Sequence, residues 1–452
     1  MNKRRMWHLR GTPFFLLDLS MAGLAVFLAH IISPKYDGAI WENGRPADEI
    51  LPVILIMALS TSIALSVLDI QRTQSGYSKL DLVARSVIGT AVGILISYPI
   101  HILLFYNLIG RYILLFAGIF TIFFVAISRI LLWRMAELYS REILYCGSTE
   151  GAERIRNNIA ILKLPMAITA TCRPQALTVE EAGQAPLLTE CEPGPGIYDV
   201  VLESAESLSE AERQKLLQCI ELGMQVSDQN YFYEQHLYQV DINSLTEQWF
   251  WTLNHTFTHP AYAVCKRSIE LLISLVGLAG SILLYPFIFI VIKLQDGGPV
   301  FFSQRRLGYH GREFTIWKFR TMRLDAESEG PKWADSKDAR ATLFGRFLRM
   351  TRLDEIPQFW NVLKGDMAFI GPRPERPEFQ QLLQQELRFY NFRHMMRPGL
   401  TGWAQVNCPY ASSVNENRRK LGFDLYYIKH ASLSLDTLII FRTVSAMFSG
   451  AR

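Results

Sequence analysis

The chain has 452 residues, half of which are hydrophobic, and a formal net charge of +4. This length allows two to four domains. The small basic excess does not favour a nucleic-acid partner, because the basic residues lie beside apolar segments, where they usually report membrane orientation or anionic lipid.

The first third of the chain carries four apolar runs, each close to the ~20 residues that a membrane-crossing helix needs. These runs cover residues 14–32, 51–68, 83–105 and 112–133. Basic residues precede the first run, occupy the second connection and follow the fourth run, whereas the first connection is mixed in charge. The sequence therefore predicts a four-helix transmembrane domain over residues 1–140, with both ends in the cytoplasm. Asp18, in the first run, is expected to reach the membrane interface or to pair with Arg10.

From about residue 141 the sequence has the pattern of a soluble α/β domain. A strand over residues 142–146 precedes a turn at 147–151 and a helix, and a second strand covers 198–202. This pattern predicts a Rossmann-like domain over residues 141–250. The turn lacks the full GxGxxG arrangement that pyrophosphate binding needs, so a structural or regulatory module is favoured over a nucleotide site. The six cysteines lack CxxC spacing, and we expect reduced, structural thiols.

A fifth apolar segment, residues 269–292, is also long enough to cross a membrane. Lys266 and Arg267 precede it and further basic residues follow it, so both flanks carry the charge pattern of the cytoplasmic side. Pro286 lies deep in the segment and cannot donate a backbone N–H, so it can interrupt the helix. We expect a re-entrant helix that enters the membrane, breaks near Tyr285 and Pro286, and returns. The alternative is an ordinary span with a tolerated proline.

An aromatic, strand-like stretch beyond this segment is rich in arginine and lysine, including Lys318 and Arg320. Guanidinium groups bind phosphate oxygens through paired hydrogen bonds, so such a stretch suits a diphosphate or a phospholipid headgroup. The alternative is a solvated basic face beside a membrane.

The most informative stretch, residues 353–374, reads LDEIPQFWNVLKGDMAFIGPRP. Apolar residues at helical spacing follow Asp354 and Glu355, so we expect this pair at the N-terminus of a short helix. The free backbone amides there favour ionised carboxylates and attract phosphate. Arg352 lies beside the pair, and Asp366 follows one loop later. The sequence therefore predicts a Mg²⁺ ion held by Asp354, Glu355 and Asp366 together with substrate phosphate oxygens.

Several motifs in the second half of the chain resemble those of the bacterial sugar transferase family. In chain order they are Lys266-Arg267, FSQRRLGYHGREFTIWKFRTM, TRLDEIPQFWNVLKGDMAFIGPRP and MRPGLTGWAQVN. The resemblance covers residues 264–452, and the preceding spans and Rossmann-like module resemble the layout of the family's large members, which initiate exopolysaccharide and O-antigen synthesis. It implies a monotopic α/β catalytic domain over residues 251–452. It also implies a bacterial inner-membrane protein with the middle and catalytic domains facing the cytoplasm.

The resemblance implies transfer of a sugar 1-phosphate from a UDP-sugar to undecaprenyl phosphate, with release of UMP. It implies that Asp354 is the nucleophile, that Glu355 is its partner, and that Mg²⁺ near this pair screens the diphosphate. Phosphate binding is then assigned to Lys318, Arg320, Arg352 and Arg373. Arg397 lies in a turn bordered by glycines, and it either meets a phosphate or serves the turn.

Two positions depart from the family pattern. Glu270 stands where an aspartate is common after the Lys-Arg pair, and Tyr285 stands where a serine usually precedes Pro286. Two other functions remain open, a glycosyl transferase that releases UDP and a membrane-anchored nucleotide or redox sensor. The N-terminal helices and the middle domain look dispensable for the chemistry and are therefore available for a homodimer. No motif in the sequence indicates which sugar is transferred.

Overall fold

A computed structural model of the protein describes residues 12–32, 47–67, 79–105, 111–137, 141–162, 164, 166–191, 197–204, 208–253, 260–324, 326, 340–408 and 413–449. The chain forms two compact units, Met1–Leu237 and Tyr238–Arg452. The division into domains over residues 1–140, 141–250 and 251–452 stays a prediction.

The described part of the first unit begins with a bundle of apolar helices. They are α1 (Thr12–Ile32), α2 (Ala47–Val67), α3 (Lys79–Phe105) and α4 (Arg111–Glu137). Each helix packs on the next, and α1 also packs on α4. Phe15–Ile32 and Tyr112–Leu131 are long and apolar enough to cross a membrane, whereas Leu51–Leu65 and Gly89–Leu104 are shorter. The bundle therefore has the apolar character of a membrane-associated protein, and crossing by all four helices stays a prediction.

An ion pair lies inside this bundle and joins its first and last helices. Arg129 of α4 donates to Asp18 of α1 at 2.5 Å, and both side chains are fully buried. The predicted partner, Arg10, lies outside the described residues. Arg129 is the cation that the structure places beside Asp18, since a carboxylate buried in an apolar bundle needs one. Asp18 therefore ties α1 to α4.

A parallel sheet and its helices complete the first unit. The strands are β1 (Arg141–Cys146), β2 (Met166–Cys172), β3 (Ile197–Leu202) and β4 (Gln225–Asp228), in the order β2-β1-β3-β4. The helices are α5 (Thr149–Leu162), α6 (Val179–Ala182), α7 (Glu210–Glu221) and α8 (Gln229–Phe232), followed by the π-helical turn Tyr233–Leu237. The two predicted strands each begin one residue earlier than expected. Successive residues of β1 point to opposite faces of the sheet. Ile143 lies in the apolar core on one face and Leu144 in the core on the other.

The second unit combines helices with two short sheets. Its elements are α9 (Glu247–Trp251), α10 (Pro260–Asp296), β5 (Phe301–Leu307), the 3₁₀ turn Tyr309–Gly311, β6 (Glu313–Phe319), α11 (Leu343–Thr351), the 3₁₀ turn Leu353–Glu355, α12 (Gln358–Lys364), β7 (Ala368–Ile370), α13 (Pro377–Glu386), the 3₁₀ turn Tyr390–Met395, β8 (Gly399–Thr401), α14 (Trp403–Asn407), α15 (Val414–His430) and α16 (Leu433–Ser449). Strands β5 and β6 form an antiparallel hairpin, and β7 pairs with β8 in parallel.

Helix α10 contains the fifth apolar segment and is long and apolar enough to cross a membrane. The predicted break at Tyr285 and Pro286 is wrong, because α10 is one helix of 37 residues that continues through Pro286. A proline inside a helix removes one backbone hydrogen bond and bends the axis, but the turns on either side can remain helical. Leu283, in the middle of α10, is 85% exposed.

Candidate functional site

Asp354 and Glu355 lie in a sharp turn between two helices of the second unit. Helix α11 ends at Thr351, and Arg352 takes a left-handed backbone conformation with φ 55° and ψ 17°. Residues other than glycine rarely adopt this conformation, and it often marks functional sites. The acidic pair then occupies a 3₁₀ turn, and α12 begins only at Gln358. The pair therefore precedes the short helix and is not part of its first turn, which corrects the sequence-based expectation.

Glu355 is surrounded by cationic side chains in the described structure. Its Oε1 atom accepts from Lys318 Nζ at 2.9 Å and from Arg373 Nη2 at 3.1 Å, and its Oε2 atom lies 3.4 Å from Arg352 Nη1. Burial alone would raise the pKa of Glu355, but the charges of Lys318, Arg373 and Arg352 outweigh it and hold the pKa well below its usual range. Glu355 therefore stays ionised and fixes three cations in place.

Asp354 has a different environment from its neighbour. Its side chain is buried, yet its carboxylate accepts no hydrogen bond from the residues that the structure describes. Burial and the charge of Glu355 raise the pKa of Asp354, although Lys318, Arg349 and Arg373 act in the opposite direction. Fewer interactions thus stabilise its ionised form. A carboxylate without hydrogen-bond partners beside a fixed, charge-balanced one is an arrangement suited to nucleophilic attack.

Arg349 is a cation of this site that the sequence reasoning missed. It lies in α11, its Nε donates to Thr321 Oγ1 at 3.0 Å, and its charge lowers the pKa of Asp354. The signal was present in the sequence, because residues 343–351 read as an amphipathic helix that leads directly into the acidic pair. The last turn of α11 places the Arg349 guanidinium next to Asp354 and Glu355.

Three predicted site residues do not join the pair. Arg320 is buried against Asp296, at the end of α10, because β6 ends at Phe319 and the chain turns away. Arg397 is exposed, and its side chain makes no hydrogen bond or ion pair with described residues. Asp366 follows α12, at the opposite end from the pair, and lies 3.3 Å from Lys364.

The described residues contain no group of three or more histidine, cysteine, aspartate or glutamate side chains that could hold a metal ion. Helix α12 explains this for the predicted trio, since its seven residues, about 10 Å of helix, separate Asp366 from the acidic pair. Asp366 therefore lies apart from the acidic pair in this structure, and the three-carboxylate magnesium site stays a prediction. Asp354 and Glu355 remain as adjacent oxygen donors.

The loop that carries Arg373 is held by cations from distant parts of the sequence. Prolines on both sides of Arg373 lack a backbone N–H, so neither can donate a backbone hydrogen bond that would fix the loop. Arg393 donates to the Arg373 carbonyl at 2.9 Å, and Arg306 donates to the Pro374 carbonyl at 3.3 Å. Arg393 is fixed in turn by Asp424 of α15 at 2.8 Å. These buried charges determine where the Arg373 side chain meets Glu355.

The basic pair at the start of α10 makes internal contacts. Lys266 donates to the Ile370 carbonyl at 3.0 Å and lies 3.1 Å from Asp436 of α16. Arg267 donates to two carbonyls at the end of α12 at 2.8 and 3.1 Å. Glu270 accepts from the backbone of β7 at 3.0 Å, so the glutamate found here in place of the family's aspartate makes a specific contact. Helix α10 is therefore attached to the strand that leads into the Arg373 loop.

Comparison with known proteins finds a matching family model and several similar proteins for the second half of the chain. The model of the family described as bacterial sugar transferase matches residues 261–450. The UDP-N-acetylgalactosamine-undecaprenyl-phosphate N-acetylgalactosaminephosphotransferase of Aeromonas hydrophila is 44% identical over 191 residues, which is 42% of this chain and 45% of the relative. The UDP-glucose:undecaprenyl-phosphate glucose-1-phosphate transferase of Escherichia coli (strain K12) is 40% identical over 157 residues, 34% of each protein.

A shorter relative is matched over most of its length. The exopolysaccharide production protein ExoY of Sinorhizobium fredii is 32% identical over 207 residues, which is 42% of this chain and 87% of the relative. By contrast, the chain matches less than half the length of the Aeromonas hydrophila and Escherichia coli relatives. The similarity is therefore concentrated in the part that carries the acidic pair.

Proposed function

The chain belongs to the bacterial sugar transferase family, and on this premise we propose that it transfers a sugar 1-phosphate from a UDP-sugar to undecaprenyl phosphate. The observation that carries the proposal is the buried acidic pair, in which Glu355 binds three cations and Asp354 accepts no hydrogen bond from described residues. The names of the Aeromonas hydrophila and Escherichia coli relatives give undecaprenyl phosphate as a substrate. The product would start an exopolysaccharide or O-antigen type glycan.

In the proposed mechanism, the Asp354 carboxylate attacks the phosphorus that bears the sugar. The bond between this phosphorus and the bridging oxygen of the diphosphate breaks, and UMP leaves with that oxygen. A phosphate oxygen of undecaprenyl phosphate then attacks the same phosphorus, which releases Asp354 and gives a lipid diphosphate sugar. Lys318, Arg349 and Arg373 would neutralise the phosphate oxygens, because an anionic nucleophile is otherwise repelled by them.

Glu355 has a positioning role in this proposal. Its ionised carboxylate holds Lys318, Arg352 and Arg373 around the reacting phosphate. Asp354 and Glu355 also fit a Mg²⁺ site, since this ion usually takes one or two carboxylates and completes its shell with substrate phosphate oxygens and water. Bound there, Mg²⁺ would supply further charge neutralisation to the diphosphate.

We further propose that α10 bends at Pro286 without losing its helical turns, so that it is re-entrant and does not cross the membrane. Residues on both sides of its apolar centre pack within one unit, Arg267 on α12 and Ile288 and Ile292 against α11 and the β5–β6 hairpin. A complete crossing would separate these contacts. The exposed apolar side chains between them, including Ile282 and Leu283, would be covered by lipid. The catalytic unit would then lie on the cytoplasmic face of the inner membrane, where UDP-sugars are made.

The nucleotide product tests the proposed reaction. Purified full-length protein with undecaprenyl phosphate, Mg²⁺ and each of a panel of UDP-sugars is expected to release UMP, and the active donor identifies the sugar. Nucleotide chromatography of the reaction distinguishes the two transfer types, because a glycosyl transferase that leaves the phosphate behind yields UDP. Release of UDP as the primary product would contradict the proposal.

The side of the membrane can be measured with an introduced cysteine. Glu378, at the exposed start of α13, is replaced by cysteine in a Cys265→Ser background, because Cys265 is itself exposed. An impermeant thiol reagent applied to intact cells is expected to leave Glu378→Cys unlabelled and to label it after lysis. Asp37→Cys, in the first connection, is expected to react in intact cells and serves as the positive control. Strong labelling of Glu378→Cys in intact cells would contradict the re-entrant helix.

Removal of Lys318 is expected to change the pH dependence of the reaction. The pKa of Asp354 lies above its ordinary value of 3.8, and the charge of Lys318 lowers it. Lys318→Met should therefore raise this pKa further and move the acid limb of the kcat/KM profile to higher pH, since attack requires the ionised carboxylate. Arg305→Met removes an exposed cation of the same hairpin and should leave the limb unchanged. An unshifted limb in Lys318→Met would remove Asp354 from the titrating role.

A further inference from the structure

The glycines of the turn after β1 are required by contacts within the first unit. A methyl group at Gly147 would overlap Oε2 of Glu203 and the hydroxyl of Tyr145. A methyl group at Gly151 would overlap the same hydroxyl and Oε1 of Glu203. In nucleotide-binding sheets, glycines at this turn leave room for a phosphate. Here the room is already occupied by a carboxylate and a phenol of the chain itself.

Glu203 makes the contacts that a bound anion makes in such folds. Its Oε2 atom accepts from the Ser148 backbone N–H at 2.5 Å, and its Oε1 atom accepts from the Ser148 hydroxyl at 2.9 Å. Arg154, one turn into α5, contributes a guanidinium at 3.3 Å. The Ser148 hydroxyl in turn accepts from the Gly151 N–H at 3.0 Å, as an N-cap does. Glu203 is thus bound by a helix N-terminus, a hydroxyl and a cation together.

The position of Glu203 in the sheet explains why it is placed there. It follows β3, and its backbone N–H donates to the Cys146 carbonyl at the end of β1 at 2.9 Å. The chain order reverses between β1 and β3, since β1 is followed by β2 on one side and by β3 on the other. Parallel sheets bind their ligands at the carboxyl ends of strands at such a reversal. The carboxylate therefore lies where a phosphate would.

We propose that the Glu203 carboxylate permanently occupies this position. The parallel sheet of the first unit then binds no phosphate-bearing nucleotide there. A phosphate would have to displace the carboxylate and would meet its charge at short range. The sheet then acts as a structural module. The inference rests on the first unit alone and does not depend on the proposed transfer reaction.

Hydrogen exchange of residues 147–162 in the full-length protein tests this inference locally, because it measures the protection of the amides of the turn and of α5 themselves. In the wild type, exchange is expected to be unchanged by NAD⁺, UDP or inorganic pyrophosphate. In Glu203→Ala, exchange at the first turn of α5 should rise roughly fivefold, the effect of losing a typical helix cap. Inorganic sulfate should reverse this rise, whereas chloride at equal ionic strength should not.

Glu153→Ala is the matched control, because it removes an exposed acid from the same helix without touching the turn. Its exchange should equal that of the wild type with and without sulfate. Saturable protection of residues 147–162 by pyrophosphate or NAD⁺ in the wild type would overturn the inference. So would a Glu203→Ala variant with unchanged exchange, or with a rise that sulfate does not reverse. The exchange measurements on the wild-type protein test whether the turn binds phosphate even if Glu203→Ala does not fold.

Discussion

Asp354→Asn is expected to lower the rate of UMP release by at least about 10³-fold, a loss typical of removing a covalent nucleophile. The amide has the shape of the carboxylate but cannot attack phosphorus. Because burial and Glu355 raise the pKa of Asp354, the ionised form destabilises the folded state relative to an exposed aspartate. That contribution is absent at low pH and grows as the pH rises through the folded pKa. The variant should therefore unfold at the wild-type temperature or above it, which thermal unfolding measures.

Asp366→Asn is the matched control for this substitution. It makes the same chemical change at an acid that belongs to the same motif but lies at the far end of α12. It is expected to retain most of the activity, because Asp366 neither attacks nor completes a carboxylate cluster. Wild-type turnover in Asp354→Asn would eliminate the proposed nucleophile. Equal losses in both variants would instead restore Asp366 to the site.

Asp436→Leu is expected to lower the free energy of unfolding by about 3 kcal/mol, the usual cost of removing one partner of a buried ion pair. Lys266 is 11% exposed and lies 3.1 Å from Asp436, which is 8% exposed. Asp436 also accepts from Tyr427 at 2.5 Å and from Tyr262 at 2.9 Å. The substitution therefore leaves a buried ammonium and two phenols without their common acceptor. Denaturant unfolding in detergent measures the change.

A double variant separates the charge effect from the packing effect. Lys266→Met combined with Asp436→Leu removes both charges and should recover part of the stability lost in the single variant. Arg305→Met breaks an exposed pair with Glu313 and should change the stability by less than about 1 kcal/mol. An Asp436→Leu protein as stable as the wild type would contradict the role given to this pair. So would a double variant less stable than Asp436→Leu alone.

The residue pattern located the acidic pair and three of its cations, but the different roles of the two acids came only from the family resemblance. Local spacing treats Asp354 and Glu355 alike. Their difference arises because Lys318 and Arg373, 37 and 18 residues away along the chain, both converge on Glu355. Which neighbouring carboxylate receives these cations depends on how the hairpin and the Arg373 loop pack. That information is tertiary and leaves no local pattern.

The differences between the sequence-based site and the structure have identifiable physical causes. Lys318 and Arg320 are two apart, and a continuing strand would place them on the same face. Strand β6 ends at Phe319, so Arg320 follows the next turn to Asp296 instead. In the same way, a proline within an apolar segment was interpreted as a break, whereas α10 continues through Pro286 as one helix. Both differences depend on where a strand or a helix ends. The local sequence predicts such ends poorly.

Lys266 and Asp436 are separated by 170 residues of chain. A ribosome that adds about 5 to 20 residues per second needs roughly 10 to 30 s to make that stretch. For most of this interval α10 is fully synthesised while Lys266 still lacks Asp436. In the proposed re-entrant arrangement, the lipid contacts of α10 therefore form before the Lys266–Asp436 ion pair closes the unit. The ion pair that attaches α10 to α16 is the last of these contacts to form.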